Sequence, residues 1–204
     1  MNGLYALKPW FARRLTVLQR QLIRVGVSPD VVTFAGILCA GAAAISLAML
    51  PVPWAALPVA GFLTARLACA NLDGSIARET ETQTRLGSVL NEVGDRAADL
   101  VMICGLVPHT SLPLVLGALL AGSAPSWISL AGAAAGVRRI NGGPVGKTER
   151  CLVIAIAAAT GWFTLAAVVL IVGSLLTAGL RLLKVKTLCN GRFGEDRAPM
   201  GGRW

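Results

Sequence analysis

Charge, histidine and paired cysteine are all scarce in this sequence, and each scarcity excludes a class of protein. Charged residues make up 14% of the 204 residues and hydrophobic residues 55%, whereas a soluble domain carries about 25% charged residues. A soluble globular fold is therefore excluded, and an integral membrane protein with one domain is expected. His109 is the single histidine, and the five cysteines form no C-x-x-C pair. We therefore expect no zinc site built from these ligands and no structural disulfide.

Long apolar stretches dominate what the sequence does contain. A helix needs roughly 20 apolar residues to cross a bilayer, and six stretches approach this length, the fifth of them being short. They cover residues 31–50, 53–77, 86–107, 112–137, 150–161 and 163–183. We predict an all-α polytopic membrane protein with about six transmembrane helices.

The two ends of the chain differ from this apolar middle. The first 28 residues mix apolar and basic side chains with the spacing of an amphipathic helix that lies on a membrane surface. The last residues are rich in glycine and charge, which is typical of a disordered tail. The predicted organisation is an amphipathic segment at 1–28, a six-helix transmembrane domain at 29–185, and a basic, glycine-rich, disordered tail at 186–204.

The distribution of charge predicts the orientation in the membrane. The formal net charge is +9, and the three short loops near 51–52, 108–111 and 161–162 contain no charged residue. The opposite loops and both termini carry most of the lysines and arginines, so we expect them to be cytoplasmic. This pattern favours contact with anionic headgroups of the lipid bilayer, and we expect no nucleic-acid partner because apolar spans separate the basic residues.

Six charged residues interrupt the second and third apolar stretches. They are Arg66, Asp73, Glu92, Asp95, Arg96 and Asp99. Charged groups in the bilayer core are unfavourable by a few kcal/mol each, so they must face protein or a water-filled cavity. A short polar connection at 79–84 makes the two helices antiparallel neighbours, which brings Asp73 and Asp95 close together.

Two interpretations of this polar cluster stay open. Carboxylate and amide oxygens without histidine or cysteine suit Mg²⁺, Mn²⁺ or Ca²⁺, and Mg²⁺ commonly binds through one or two carboxylates together with substrate phosphates. That chemistry favours phosphoryl transfer. In the alternative interpretation, Arg66 and Arg96 neutralise the acids and the cluster only holds the helices together.

The spacing of the cluster resembles the motif of the CDP-alcohol phosphotransferases, D-x2-D-G-x2-A-R-x8-G-x3-D-x3-D. The sequence has Asp73-Gly74-Ser75-Ile76-Ala77-Arg78, then Gly87 after eight residues, then Asn91 and Asp95. Six of the eight fixed positions match at the family's spacing. The resemblance extends over most of residues 10–185.

The resemblance implies an activity and a location. Members of the family join a CDP-linked alcohol to a second alcohol and release CMP, and most bacterial members use CDP-diacylglycerol. We therefore expect a CDP-alcohol phosphatidyltransferase of phospholipid biosynthesis that needs Mg²⁺ or Mn²⁺ and an alcohol acceptor. It would lie in a bacterial-type inner membrane with its active site on the cytoplasmic side, and a homodimer stays open.

The resemblance also implies roles for individual residues. Asp73, Asn91 and Asp95 occupy metal-ligand positions, and Asp95 also occupies the position of the general base. The positions that contact the CDP-linked donor are Asp30, Thr33, Gly74, Arg78 and Thr84. Basic residues of one loop could hold a phosphate on the acceptor, although ordinary positive-inside charge explains them equally well; they are Arg138, Arg139, Lys147 and Arg150.

The sequence departs from the family motif at two acids, which are replaced by Ala70 and Asn91. In the family these two positions bridge the metals of a two-metal site, so the number of ions, one or two, stays open here. Glu92 and Asp99 are extra acids that could compensate. Two other functions remain as alternatives: a catalytically impaired relative that binds nucleotide or lipid, and a small ion-coupled transporter.

Overall fold

The computed structural model describes the backbone of residues 8–195 and the side chains of residues 15–190. These residues form seven α-helices and no β-strand, which confirms the all-α prediction for the described part of the chain. The helices are α1 (Lys8–Val25), α2 (Pro29–Met49), α3 (Ala56–Glu79), α4 (Arg85–Cys104), α5 (Leu112–Ala134), α6 (Lys147–Thr160) and α7 (Phe163–Glu195).

Helix ends follow local capping chemistry. The Oγ of Ser28 accepts a hydrogen bond from the backbone N–H of Val31 at 3.4 Å, and Pro29 takes the first helical position of α2. At the start of α4, the Oγ1 of Thr84 accepts from the backbone N–H of Gly87 at 2.8 Å. Gly161 follows α6 with a φ of 78°, a left-handed conformation that favours glycine. These local signals set the element boundaries to within a few residues of the apolar stretches.

Three helices are long and apolar enough to cross a membrane: α2, α5 and residues 163–190 of α7. The remaining predicted spans fall short for two physical reasons. Buried charges such as Arg66 and Asp99 lower the mean hydropathy of α3 and α4, and α6 has only 14 residues. The structure thus shows an all-helical membrane protein with three candidate spans.

The core joins all six helices after α1. Buried side chains from α2 to α7 form one apolar cluster, which includes Leu47, Leu63, Met102, Ile154 and Leu170. Close approach of helices depends on small residues, since a Cβ on Gly105 would lie 2.9 Å from the Cα of Ala44. This packing of α2 against α4, with α3 beside both, brings the polar residues of α3 and α4 to one place.

Helix α1 packs against the bundle rather than standing apart from it. Its side chains Leu15, Leu22 and Ile23 contact a small cluster formed by Val32, Leu72 and Ile76. The Nε2 of Gln19 also donates a hydrogen bond to Glu79 at the end of α3. The helical part of the N-terminal prediction is therefore observed from Lys8 onward, while residues 1–7 lie outside the described residues.

The predicted boundary at residue 185 does not coincide with a structural boundary. Helix α7 continues without interruption through Glu195, ten residues beyond the predicted boundary, and the disorder of the tail stays a prediction. The glycine-rich composition that suggested disorder begins only near the end of this helix. Residues 196–204 lie outside the described residues.

Gly94 provides a direct test of the contact between α2 and α4. A Cβ at this position would lie 2.6 Å from the Cγ2 of Thr33, so we expect Gly94→Ala to lower the free energy of unfolding by about 1–3 kcal/mol. We expect the close contact to outweigh the higher helix propensity of alanine, which favours a helix by about 1 kcal/mol over glycine. Thermal unfolding in detergent measures the effect. Gly61→Ala is the matched control because no atom lies within 4 Å of its added Cβ; equal stability of the two variants would contradict the close contact.

Candidate active site

A cavity of about 680 Å³ is lined by residues of α1, of α3 to α7 and of the loop that precedes α6. We call it the polar cavity, because Asp73, Asn91, Asp95, Lys147 and several arginines line it. A narrow recess beside it is lined by Thr33, Arg66 and Ala70 together with the same two aspartates. The two acids that the sequence singled out therefore face one common space.

Asp73 is the buried acid of this space, with 4% of its surface exposed. Its Oδ2 accepts a hydrogen bond from the Oγ1 of Thr33 at 3.0 Å, and its Oδ1 accepts from the backbone N–H of Gly74 at 2.6 Å. Within the described part of the chain, no cationic side chain forms an ion pair with it. These hydrogen bonds fix the position of the carboxylate, while its negative charge has no ion-pair partner. Both properties are expected of a ligand for a cation that enters from solution.

Asp95 lies across the cavity from α3, and its carboxylate forms an ion pair with the ammonium group of Lys147. Asn91 lies one helical turn earlier and also lines the cavity. The site can therefore offer two carboxylates and one amide oxygen, hard donors that suit Mg²⁺ or Mn²⁺. Among the described residues no group of three or more His, Cys, Asp or Glu could hold a metal. Mg²⁺ bound through one or two carboxylates commonly completes its coordination with substrate phosphates.

Asp99 lies behind the cavity in a buried ion-pair triad with Arg66 and Arg150. Arg66 donates to Asp99 Oδ1, and Arg150 lies 2.6 Å from Asp99 Oδ2. All three residues are at most 5% exposed. Both of its oxygens face guanidinium groups and the residue does not line the polar cavity, so this geometry does not favour the expectation that Asp99 compensates for a missing acid.

Glu92 is likewise engaged elsewhere. Its carboxylate pairs with Arg139 and, at 3.4 Å, with Arg96. Both arginines line the polar cavity, whereas Glu92 is absent from the lining that the structure describes. Glu92 is therefore paired with two arginines, and this arrangement does not favour the expectation that it replaces a metal ligand.

The predicted donor contacts separate into two groups. Gly74 and Arg78 line the polar cavity, and Thr33 lines the recess. Asp30 and Thr84 meet at the start of α4, where a Cβ on Gly87 would lie 2.9 Å from Thr84 Oγ1 and 3.7 Å from Asp30 Oδ1. Neither of these two residues belongs to the described cavity lining.

The basic residues of the loop before α6 also separate. Arg139, Lys147 and Arg150 line the polar cavity. Arg138 is exposed and does not contribute to the described lining.

Arg181 is a cavity residue that the sequence analysis missed. Its Nε donates to the carbonyl of Gly142 at 2.9 Å, and its Nη1 donates to Pro125 and Ser129 at 2.8 and 2.9 Å. It thereby joins α7 to α5 and to the loop that carries Arg139. The sequence did contain a signal for this residue, because Arg181 is a charged residue inside the last apolar stretch. A charge in a membrane span is unfavourable and must face protein or water, as for the charges of the polar cluster.

Comparisons with known proteins identify the family. Residues 26–179 match the model of the CDP-alcohol phosphatidyltransferase family. The phosphatidylinositol phosphate synthase of Mycobacterium tuberculosis is 34% identical over 152 residues, which cover 71% of this chain and 68% of that protein. The inner membrane protein YnbA of Escherichia coli is 32% identical over 155 residues, or 74% and 76% of the two chains.

Solved structures agree with this assignment. A crystal structure of the M. tuberculosis synthase with CDP-DAG bound has a TM-score of 0.69 and 30% identity, and the match covers 86% of this chain and 94% of that chain. A second structure of that synthase, in complex with manganese and citrate, has a TM-score of 0.66, with coverage of 84% and 88%. The sequence motif, the helical fold and the family match agree, and this chain belongs to the CDP-alcohol phosphatidyltransferase family.

Proposed function

We propose that this protein transfers a phosphatidyl group from CDP-diacylglycerol to an alcohol acceptor and releases CMP. The observation that carries the proposal is that Asp73 and Asp95 face one polar cavity together with Gly74 and Arg78. A donor of this class also occupies the solved structure of a relative. The proposed sites are those that the motif positions imply, corrected for the ion pairs of Glu92 and Asp99.

The residues of the cavity have separate tasks in this reaction. Asp73, Asn91 and Asp95 would hold one Mg²⁺ or Mn²⁺ ion, which when bound neutralises charge on the diphosphate and on the departing CMP. Gly74 allows close approach of the donor because it has no side chain, and Arg78 pairs with a donor phosphate. Asp95 accepts the proton of the acceptor hydroxyl. The acceptor oxygen bonds to the phosphorus of the phosphatidyl group as the bond from that phosphorus to the CMP oxygen breaks.

The acceptor that we propose carries a phosphate, as an inositol phosphate does. Arg139, Arg150 and Arg181 line the polar cavity on the side of α5 to α7, and guanidinium groups suit the recognition of phosphate. Several relatives are phosphatidylinositol phosphate synthases. A phosphate on the acceptor would bring negative charge to a side of the cavity that carries these three guanidinium groups.

For the membrane arrangement we propose six spans, with α3, α4 and α6 added to the three apolar helices. Leu57 of α3, Val93 of α4 and Ile156 of α6 are at least 48% exposed, and such side chains are favourable against lipid. Both termini and the polar cavity would be cytoplasmic, with α1 at the membrane surface and residues 29–185 as the catalytic domain. The relative from E. coli is an inner membrane protein, and the same location is proposed here.

Release of CMP by the purified protein tests the function. We expect turnover with CDP-diacylglycerol only when Mg²⁺ or Mn²⁺ is present, and faster turnover with inositol phosphate or glycerol 3-phosphate than with inositol, glycerol or serine. Chelation of the metal should abolish it. Binding of CDP-diacylglycerol without CMP release for any acceptor would instead support a catalytically impaired relative.

A further inference from the structure

The positive charge nearest to the candidate metal ligands belongs to Lys147. Its ammonium group contacts the Oδ2 of Asp95, and the side chains of the two residues are 26% and 18% exposed. The pair is therefore largely enclosed by protein and weakly screened by solvent. Charges in such surroundings interact several times more strongly than charges on an open surface.

The position of Lys147 is set by the start of α6. The Oε2 of Glu149 accepts a hydrogen bond from the backbone N–H of Gly146 at 3.1 Å and completes a capping interaction at this helix end. Lys147 is the first residue of the helix, so its side chain leaves a fixed backbone instead of a mobile loop. The backbone thereby directs the ammonium group into the cavity, toward Asp95.

Ala70 stands where the family motif has its first acid. It lines both the polar cavity and the recess, beside Asp73 and Asp95. A methyl group there supplies no oxygen, and Asn91 supplies only a neutral one. The described residues thus lack two of the four negative charges that would balance two divalent ions, while a lysine cation already neutralises one of the remaining two.

We propose that the Lys147 ammonium group takes the place of a second metal ion, so that the site works with one divalent cation and one fixed lysine cation. This proposal rests on the proposed function and deepens it. The two aspartates and Asn91 hold one ion, and Lys147 supplies the other positive charge beside Asp95. The acceptor phosphate is then left to the arginines of the cavity.

Binding of Mn²⁺ to the purified protein, followed by electron paramagnetic resonance, tests the proposal separately from turnover. We expect one Mn²⁺ per chain for the wild type, with or without CMP. We expect Lys147→Met to bind Mn²⁺ at least about tenfold more tightly, because Asp95 loses a competing cation, and yet to release CMP at least about tenfold more slowly. Lys147→Arg keeps the charge and should retain the wild-type affinity for Mn²⁺.

Lys186→Met is the matched control. Lys186 is exposed on α7 and does not line the cavity, so both its Mn²⁺ affinity and its turnover should equal those of the wild type. Two Mn²⁺ per wild-type chain would overturn the proposal. It would also be overturned if Lys147→Met raised only the KM for the acceptor and left Mn²⁺ affinity unchanged, since Lys147 would then be an acceptor contact. Absence of CMP release from every variant would refute the proposed function, while the Mn²⁺ stoichiometry would still decide the role of Lys147.

Discussion

Asp73→Asn is expected to reduce CMP release by about 10²- to 10³-fold or more, the range seen when one group that stabilises transition-state charge is removed. Asp73 lines the described cavity and accepts two hydrogen bonds, and no described cationic side chain forms an ion pair with it. Asparagine keeps the shape of the side chain and one oxygen that can accept from Thr33, but it removes the negative charge. Initial rates at saturating Mg²⁺, together with Mn²⁺ affinity, measure the change.

The expected loss is specific to charge in the cavity. Glu81→Gln removes a carboxylate from the exposed connection between α3 and α4 and should leave turnover unchanged. Asp73→Asn should also unfold within a few degrees of the wild type, because its surroundings are kept. Turnover by Asp73→Asn within tenfold of the wild-type rate would contradict a metal-ligand role for this residue.

The second large effect concerns stability. Asp99→Asn is expected to lower the free energy of unfolding by about 3–5 kcal/mol, because it leaves Arg66 and Arg150 buried with no negative partner. Both arginine residues are at most 3% exposed, so water cannot replace the lost carboxylate. Thermal unfolding in detergent, followed by circular dichroism, measures the effect.

A combined replacement separates lost charge balance from lost packing. The triple variant Arg66→Met, Asp99→Leu, Arg150→Met removes every charge of the triad and should recover much of the stability that Asp99→Asn loses. A triple variant less stable than Asp99→Asn would show that the triad contributes mainly through its hydrogen bonds, including the one from Arg150 to Gly122. Full stability of Asp99→Asn would contradict the buried triad itself.

The fold was largely predictable because apolar length and helix caps are local properties. The stretch predicted at 112–137 became α5 at Leu112–Ala134, and the stretch at 31–50 became α2 at Pro29–Met49. The end of α7 was not predictable in this way, because glycine and charge in residues 186–195 have the composition of a tail although they continue a helix.

The part of the candidate site that lies on α3 and α4 was predictable, because the spacing of the motif and the geometry of a helix place those residues. Asp73, Asn91 and Asp95 face one cavity because the short connection at 79–84 folds α4 back along α3. Arg181 could not be placed by spacing alone, since it reaches the site from α7, more than 80 positions after Asp95 in the sequence.

The sequence by itself determined the membrane class, the family motif and the pair of aspartates, because composition and short-range spacing carry that information. Only the tertiary structure decided which charges are available. In the sequence, Glu92 and Asp99 are acids within apolar stretches, as Asp73 and Asp95 are, yet arginines from other segments neutralise them. Lys147 contacts Asp95 although about fifty positions separate the two in the sequence. Ion pairs act over a few ångströms in space, so the role of each acid depends on which distant segment packs beside it.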